Sequence, residues 1–168
     1  AQQLDAALSE RGAEVRRRRV AFASEHAWSN RSLQIDSAVA ASFPLVSILV
    51  VTYQSAPYLT PFHEALNRNT SYPNYEVIYF DNASSDDSAS VLRQLPSDGG
   101  RVRVHISEQN LGFAGGNNAA ARMARGEYLV LLNPDTLVTA GWLGRLIRVL
   151  EREPEVGMVA PVTNFSGN

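Results

Sequence analysis

Short apolar runs alternate with helix-like stretches along residues 44–168. The runs begin about 25 to 30 residues apart, which is the spacing that βαβ units need. The five predicted strands are Leu45–Thr52, Tyr75–Phe80, Val102–Ile106, Glu127–Leu132 and Val156–Ala160. The first run is almost continuously apolar, as expected for a parallel strand that is covered on both faces. The pattern therefore predicts an α/β domain with helices on both sides of a mostly parallel sheet.

Capping residues mark the predicted helices between these runs. Ser84 and Ser85 precede two aspartates, the pattern of an N-cap followed by acids in the first helical turn. Thr139 can cap a later helix that has a wide apolar face. Ala119–Arg125 favours helix and stops at Gly126, a typical residue just after a helix C-terminus.

The first 42 residues differ in composition from the rest of the chain. They carry six arginines and five acidic residues, whereas residues 43–168 carry nine arginines and twelve acidic residues. Apolar residues spaced four and seven positions apart predict an amphipathic helix with a narrow apolar stripe along one face. These positions are Leu4, Leu8, Val15 and Phe22. We interpret residues 1–42 as a helical segment or linker, and the run Arg16–Arg19 as a solvated helix face.

Composition excludes several classes of function. The chain has 168 residues, and 45% of them are hydrophobic. Its net charge is −2, so nonspecific electrostatic binding of nucleic acid is not expected. Cysteine is absent, which excludes disulfides, zinc-thiolate sites and a thiol nucleophile. All fifteen basic residues are arginine, which excludes a Walker A lysine and a lysine Schiff base. No apolar run approaches the roughly eighteen residues of a membrane span, so no transmembrane segment is predicted.

Small polar and acidic residues follow three of the predicted strands. They are Thr52-Tyr53-Gln54, Asp81-Asn82-Ala83-Ser84 and Asn133-Pro134-Asp135. In open parallel sheets, ligands bind beyond the carboxyl ends of the strands. Each of these residues is also an ordinary turn former. Three such ends on one edge nevertheless favour a binding site there.

A glycine- and asparagine-rich segment follows the third predicted strand, at residues 110–118. Its backbone amides and the helix N-terminus after it could receive an anion. It matches neither GxGxxG nor a P-loop, and a tight turn with Phe113 packed into the core remains the alternative. His26, His63 and His105 are isolated in sequence and receive no role.

Residues 44–168 resemble the family 2 glycosyltransferases, inverting enzymes of the GT-A fold that use nucleotide sugars. The resemblance rests on four segments in family order and spacing, Val46–Tyr53, Glu76–Ser84, Glu108–Asn118 and Gly126–Asp135. It is strongest toward rhamnosyltransferase-like members that build bacterial surface polysaccharides. It implies a GT-A, Rossmann-like sheet and a hexosyl transfer from a nucleoside-diphosphate donor to a hydroxyl of a glycan or lipid-linked acceptor, with inversion.

The resemblance also implies roles for individual residues. Thr52 and Tyr53 would line the nucleotide pocket, and Asp81 with Asn82 would lie by the base and ribose. Asn133-Pro134-Asp135 falls on the DXD motif of the family, in which Asn133 would belong to the nucleotide site and Asp135 is the matching ligand of a divalent cation, Mg²⁺ or Mn²⁺. Gly115 and Gly116 would belong to the nucleotide site through their backbone shape.

Two departures from the family pattern bear on the donor. Asn82 stands where many members have an aspartate that accepts a hydrogen bond from uracil. The expected base is therefore thymine or a uracil that is held differently, in a donor of the dTDP or UDP type. Asn133 replaces the first acid of the DXD motif, which leaves a single carboxylate for the metal. No residue matches the catalytic base of the family, which is expected beyond Asn168.

We therefore interpret the chain as the donor-binding fragment of a longer, cytoplasmic and membrane-associated enzyme with further domains. Two alternatives stay open. One is another nucleotide-using α/β enzyme, such as a nucleotidyltransferase or dehydrogenase. The other is a noncatalytic GT-A-like scaffold module.

Overall fold

The computed structural model describes residues 13–161, and the chain divides into two compact units at Ser42 and Phe43. In the first unit, helices α1 (Ala13–Glu25) and α2 (Trp28–Ala41) are described. The predicted positions Leu4 and Leu8 lie outside the described residues. The side chains of residues 16–19 are exposed, as expected of a solvated charged run.

The second unit contains a four-stranded sheet. Its strands are β1 (Val46–Thr52), β2 (Tyr75–Asp81), β3 (Val102–Ile106) and β4 (Tyr128–Leu131). Its helices are α3 (Ala56–Asn69), α4 (Ser88–Gln94), α5 (Gly112–Met123) and α6 (Trp142–Arg152), with a short 3₁₀ turn at Asp98–Gly100. The strand order is β3-β2-β1-β4, and every neighbouring pair is parallel. The predicted α/β class and parallel sheet are confirmed.

Helices cover both faces of this sheet. On one face, Val46, Ile48 and Val50 of β1 pack with buried side chains of α3, α4 and α6. On the opposite face, Leu49 and Ile78 pack with Phe80 and with Ala120 of α5. The near-continuous apolar run of β1 is thus explained by its central, doubly covered position. No helix of residues 13–161 is both long and apolar enough to cross a membrane.

Gly126 fixes the passage from α5 to β4. A Cβ at this position would lie 2.5 Å from the Ser47 nitrogen and 2.8 Å from the Leu45 oxygen, so only glycine lets the chain approach β1 this closely. Its N–H donates to Ser47 Oγ over 2.8 Å. The prediction that this helix runs to Arg125, with Gly126 just after its C-terminus, is wrong by two residues, because α5 ends at Met123 and Ala124 caps it in an extended conformation.

The predicted strand at residues 156–160 does not form. These residues adopt no strand, and the N–H of Val156 donates to the carbonyl of Glu153 instead. Met158 is 86% exposed. An apolar run becomes a parallel strand only where it pairs with a neighbour, and this run pairs with neither edge of the sheet.

Two predicted helix caps lie elsewhere. Helix α4 begins at Ser88 with Asp87 as its N-cap. The Ser84 hydroxyl, which was predicted to cap this helix, donates to Asp81 Oδ1 instead. Helix α6 has Gly141 at its N-cap, with a φ of 71°, and Thr139 contributes only its carbonyl oxygen, which accepts from the N–H of Trp142.

Candidate functional site

The ends of β1 and β2 are joined through their polar side chains. Thr52 and Asp81 are register partners in the parallel ladder, and both are fully buried. The Thr52 hydroxyl donates to Asp81 Oδ1 over 3.0 Å. Sequence reasoning placed both residues at one edge of the sheet, and the structure brings them into direct contact.

Asp81 also organises the loop that follows it. Its Oδ1 accepts from the Ser84 hydroxyl at 2.6 Å and its Oδ2 accepts from the Ser84 N–H at 3.0 Å. The Ser84 oxygen in turn accepts from the N–H of Gln54 at 3.0 Å. Gln54 and Ala83 have φ values of 54° and 60°. Left-handed residues other than glycine store strain and often accompany functional sites.

Asn82 is almost fully buried, and its side chain makes three hydrogen bonds to residues 110–112, at the start of α5. Its Oδ1 accepts from the N–H of Leu111 at 2.8 Å. Its Nδ2 donates to Asn110 Oδ1 at 3.0 Å and to the Gly112 carbonyl at 3.1 Å. The backbone N–H of Asn82 donates to the Thr52 carbonyl at 2.8 Å, which continues the β1–β2 ladder by one residue. Asn82 thus connects the end of β2 to the start of α5.

The glycine-rich segment is the first part of α5 and not a loop before it. Gly112, with a φ of 70°, is the first helical residue. A Cβ on Gly116 would lie 2.8 Å from Val51 Cγ1, and a Cβ on Gly115 would lie 2.9 Å from Leu111 Cβ. Phe113 is 66% exposed, so the alternative of a turn with this ring in the core is wrong. The glycines let α5 begin directly against the end of β1.

Asn133 and Asp135 follow β4 at the same edge of the sheet. The N–H of Leu132 donates to the Leu49 carbonyl at 3.0 Å, so the chain runs beside β1 until just before Asn133. Both side chains are exposed, and neither makes a hydrogen bond or ion pair with another residue of the described chain. They share this edge with Thr52, Asp81 and Asn82 but form no hydrogen bond with these three residues.

The side chains of Asn133 and Asp135 suit a divalent cation whose other ligands come from a bound molecule or from water. Within residues 13–161, no three His, Cys, Asp or Glu side chains form a metal-binding group. Asn133 and Asp135 offer one amide oxygen and one carboxylate. Mg²⁺ is commonly held in proteins by one or two carboxylates, while phosphate oxygens and water complete its shell. The two residues therefore fit a cation bound together with a phosphate.

Tyr53 lies just beyond β1, and half of its surface is exposed. Its N–H donates to Ser55 Oγ at 3.3 Å, whereas its ring stacks on no other aromatic ring of residues 13–161. An exposed aromatic ring at the carboxyl edge can pack against a planar ligand. The predicted residues at this edge thus separate into a hydrogen-bonded cluster and three exposed side chains, Tyr53, Asn133 and Asp135.

Asn110 and Ser84 lie in segments that the sequence pattern singled out, but no individual role was predicted for either residue. Asn110 Oδ1 accepts both from Asn82 Nδ2 and from the N–H of Gly112, at 3.0 and 2.8 Å. Asn110 lies two residues before Gly112, and this Asn-x-Gly spacing is the local signal of an Asx turn that would have pointed to it. No local pattern links Ser84 to Gln54.

A second buried polar cluster lies between α3 and β2. His63 Nδ1 is 3.0 Å from the Tyr79 hydroxyl, and His63 Nε2 is 3.2 Å from Asp98 Oδ2. Burial lowers the pKa of His63 below 6.5, against the opposing effect of Asp98. Burial also raises the pKa of Tyr79. The isolated position of His63 in the sequence did not predict this cluster, which belongs to the core and not to the carboxyl edge.

Comparison with known proteins agrees with the fold. The sequence profile of Glycosyl transferase family 2 matches residues 47–168, more than half of the chain. The uncharacterised protein y4gI of Sinorhizobium fredii is 35% identical over 118 residues, which are 69% of this chain and 13% of that protein. The putative teichuronic acid biosynthesis glycosyltransferase TuaG of Bacillus subtilis is 32% identical over 93 residues, 55% of this chain and 36% of TuaG.

A solved structure shows a similar fold. The mannosyltransferase PcManGT from Pyrobaculum calidifontis, in complex with GDP-Man and Mn²⁺, superposes with a TM-score of 0.59 and 28% identity. The match covers 64% of this chain and 32% of PcManGT. The predicted GT-A fold is confirmed. The chain spans well under half the length of each of these three proteins.

Proposed function

The chain belongs to glycosyl transferase family 2, and on that basis we propose that its second unit binds a nucleoside-diphosphate sugar, the donor for transfer to a hydroxyl acceptor. One observation carries the proposal. The polar cluster of Thr52, Asp81 and Asn82 lies at the carboxyl ends of two adjacent parallel strands, beside the start of α5. This is the edge of an open α/β sheet at which ligands bind.

The cluster would form the rigid part of the nucleotide site. Buried Asp81 accepts three hydrogen bonds and holds the loop at residues 82–84, while Gly115 and Gly116 bring α5 against β1. Exposed Tyr53 would pack against the base. The donor is of the dTDP or UDP type in our proposal, and GDP is the alternative to test because PcManGT was solved with GDP-Man.

Asp135 and Asn133 would hold Mg²⁺ or Mn²⁺ together with the diphosphate of the donor. A hard divalent cation neutralises the negative charge that grows on the diphosphate as it leaves. The exposed Asp135 carboxylate, which has no hydrogen-bond or ion-pair partner among residues 13–161, supports this assignment, as does the Mn²⁺ in the PcManGT structure. Affinity for the cation alone would be low, since only one carboxylate is available.

In the proposed transfer, the bond from the anomeric carbon to the diphosphate breaks as the acceptor oxygen forms the new bond from the opposite face. The electron pair leaves with the diphosphate, and the acceptor proton passes to a base. We assign no described residue to that base. The acceptor would be a glycan or lipid-linked hydroxyl in bacterial polysaccharide biosynthesis, at the cytoplasmic side of a membrane. The similarity to TuaG, which is named for teichuronic acid biosynthesis, supports the role in polysaccharide biosynthesis.

Thermal unfolding with UDP, dTDP, GDP, CDP and NAD, each with Mn²⁺ or with EDTA, tests donor binding. A ligand at one hundred times its dissociation constant stabilises a protein by about 2.7 kcal/mol. At about 2 to 4 °C per kcal/mol for a chain of this size, a rise of several degrees is expected with one diphosphate and Mn²⁺. A rise with NAD alone would favour a dehydrogenase, and no rise with any ligand would favour a scaffold module.

A further inference from the structure

The orientation of the Asn82 side-chain amide is fixed by backbone groups. The N–H of Leu111 can only donate and the carbonyl of Gly112 can only accept, so Asn82 Oδ1 must face the former and Nδ2 the latter. Asn110 is fixed in the same way, since its Oδ1 accepts from the backbone N–H of Gly112. All three hydrogen bonds of the Asn82 side chain are therefore assigned without ambiguity, and they go to residues 110–112, at the start of α5.

These bonds leave Asn82 little capacity for a ligand. The residue is 3% exposed, and both protons of its amide are already donated. Gly116 closes the same region, because a Cβ there would lie 3.5 Å from Asn82 Nδ2 and 2.8 Å from Val51 Cγ1. The side chain thus lies beneath the start of α5, between the ends of β1 and β2.

We propose that Asn82 is a positioning residue, which fixes residues 110–112 and the first turn of α5 at the donor edge and does not read the base. This inference rests on the proposed donor binding. It assigns Asn82 a role different from the one implied by family resemblance, in which position 82 accepts a hydrogen bond from uracil. It also explains the amide at this position: an ionised carboxylate could accept from Leu111 but could not donate to Asn110 or Gly112.

The variant N82D separates the two roles. At pH 8 the introduced carboxylate keeps the Leu111 bond but faces the oxygens of Asn110 and Gly112 as a third acceptor. Losing two buried donor bonds should weaken binding of every nucleoside diphosphate by about tenfold or more, without changing the order of preference among bases. Lowering the pH to 5 protonates part of the carboxylate and restores one donor, so the ratio of variant to wild-type Kd should shrink.

N110D is the matched control. It introduces the same charge in the same turn, but Asn110 is engaged only through its oxygen, so both bonds at that atom are kept. The N–H of Gly112 donates to Asn110 Oδ1, and the carboxylate of N82D repels that oxygen. Amide hydrogen exchange of Gly112, measured at one pH for all variants, should therefore accelerate in N82D and stay close to wild type in N110D, where this bond is kept. Kd values for UDP, dTDP and GDP with Mg²⁺ complete the comparison.

Three results would overturn the proposal. The first is an N82D variant that binds nucleotide as tightly as wild type, which removes the positioning role alone. The second is a selective gain or loss for one base in N82D, which would make residue 82 a base contact. The third is a wild-type chain that binds no nucleoside diphosphate, in which case donor binding itself fails, whatever the exchange data show.

Discussion

Arg103 on β3 forms an ion pair with Glu76 on the adjacent strand β2, with 3.1 Å between the guanidinium nitrogen and Glu76 Oε2. The other carboxylate oxygen accepts from the Ser47 hydroxyl at 2.7 Å and from the N–H of Arg125 at 2.9 Å. Glu76 is 6% exposed. One buried carboxylate therefore joins three strands to the segment that follows α5. It lies near the amino-terminal ends of the strands, whereas the candidate site lies at their carboxyl ends.

The substitution E76Q should destabilise the second unit by about 2 kcal/mol. The glutamine oxygen must keep the Ser47 and Arg125 bonds, which turns its NH₂ group toward the Arg103 guanidinium, donor against donor. Urea unfolding followed by circular dichroism measures the change. E108Q removes an exposed carboxylate and serves as the control, with an expected change below about 0.5 kcal/mol. Equal stability of the two variants would contradict this account of Glu76.

D135N should abolish the metal-dependent part of nucleotide binding while leaving the unliganded protein as stable as wild type. The Asp135 carboxylate is exposed and makes no bond within the described chain, so its loss costs little in folding. The measurement is the difference in melting temperature between Mn²⁺ and EDTA at saturating nucleoside diphosphate. D36N, an equal charge change on the exposed surface of α2, should retain that difference. A full Mn²⁺ effect in D135N would show that the cation is held elsewhere.

G116A and G144A add the same methyl group to two helices, within α5 and in the first turn of α6, with opposite expected results. At Gly116 the new Cβ would lie 2.8 Å from Val51 Cγ1, so α5 must shift away from β1 and stability should fall by about 1 to 3 kcal/mol. At Gly144 the nearest atom is Tyr72 Cδ2 at 4.0 Å, and alanine should stabilise α6 by about 0.5 to 1 kcal/mol. Chemical denaturation of both variants tests the pair, and a G116A variant as stable as wild type would show that α5 has room to move.

The burial of His63 predicts a pH dependence of stability. Its pKa is lowered in the folded state below 6.5, mainly by desolvation, while Asp98 and Glu64 oppose this effect. The unfolded chain therefore takes up a proton first as the pH falls. The contribution of neutral His63 to the free energy of unfolding should be fully present above pH 6.5. It should decrease as the pH falls from 6.5 toward the folded-state pKa.

Urea midpoints between pH 8 and pH 5 measure this dependence. H63Q should lose the His63 part of the slope, because glutamine does not titrate in this range. H105Q changes an exposed histidine of β3 in the same unit and should keep the slope. A slope that persists unchanged in H63Q would assign the pH dependence to other groups.

Sequence periodicity determined the positions of the four strands to within about one residue, since Leu45–Thr52 was predicted and Val46–Thr52 is observed. This success has a local cause, because a doubly covered parallel strand must be apolar at nearly every position. The same rule failed at residues 156–160, where an apolar run has no neighbouring strand to pair with. Periodicity describes burial along one segment and carries no information about its partner.

The order of residues along the chain also determined that Thr52, Asp81, Asn82, Asn133 and Asp135 lie at one edge, since parallel strands all end on the same side. Only the tertiary structure decided which of them are bound to one another. Asn82 meets Asn110 and Leu111 across 28 and 29 residues, and Asp81 meets Thr52 across 29. Such bonds depend on strand order, register and the close approach allowed at Gly116 and Gly126, which arise only when distant segments pack together.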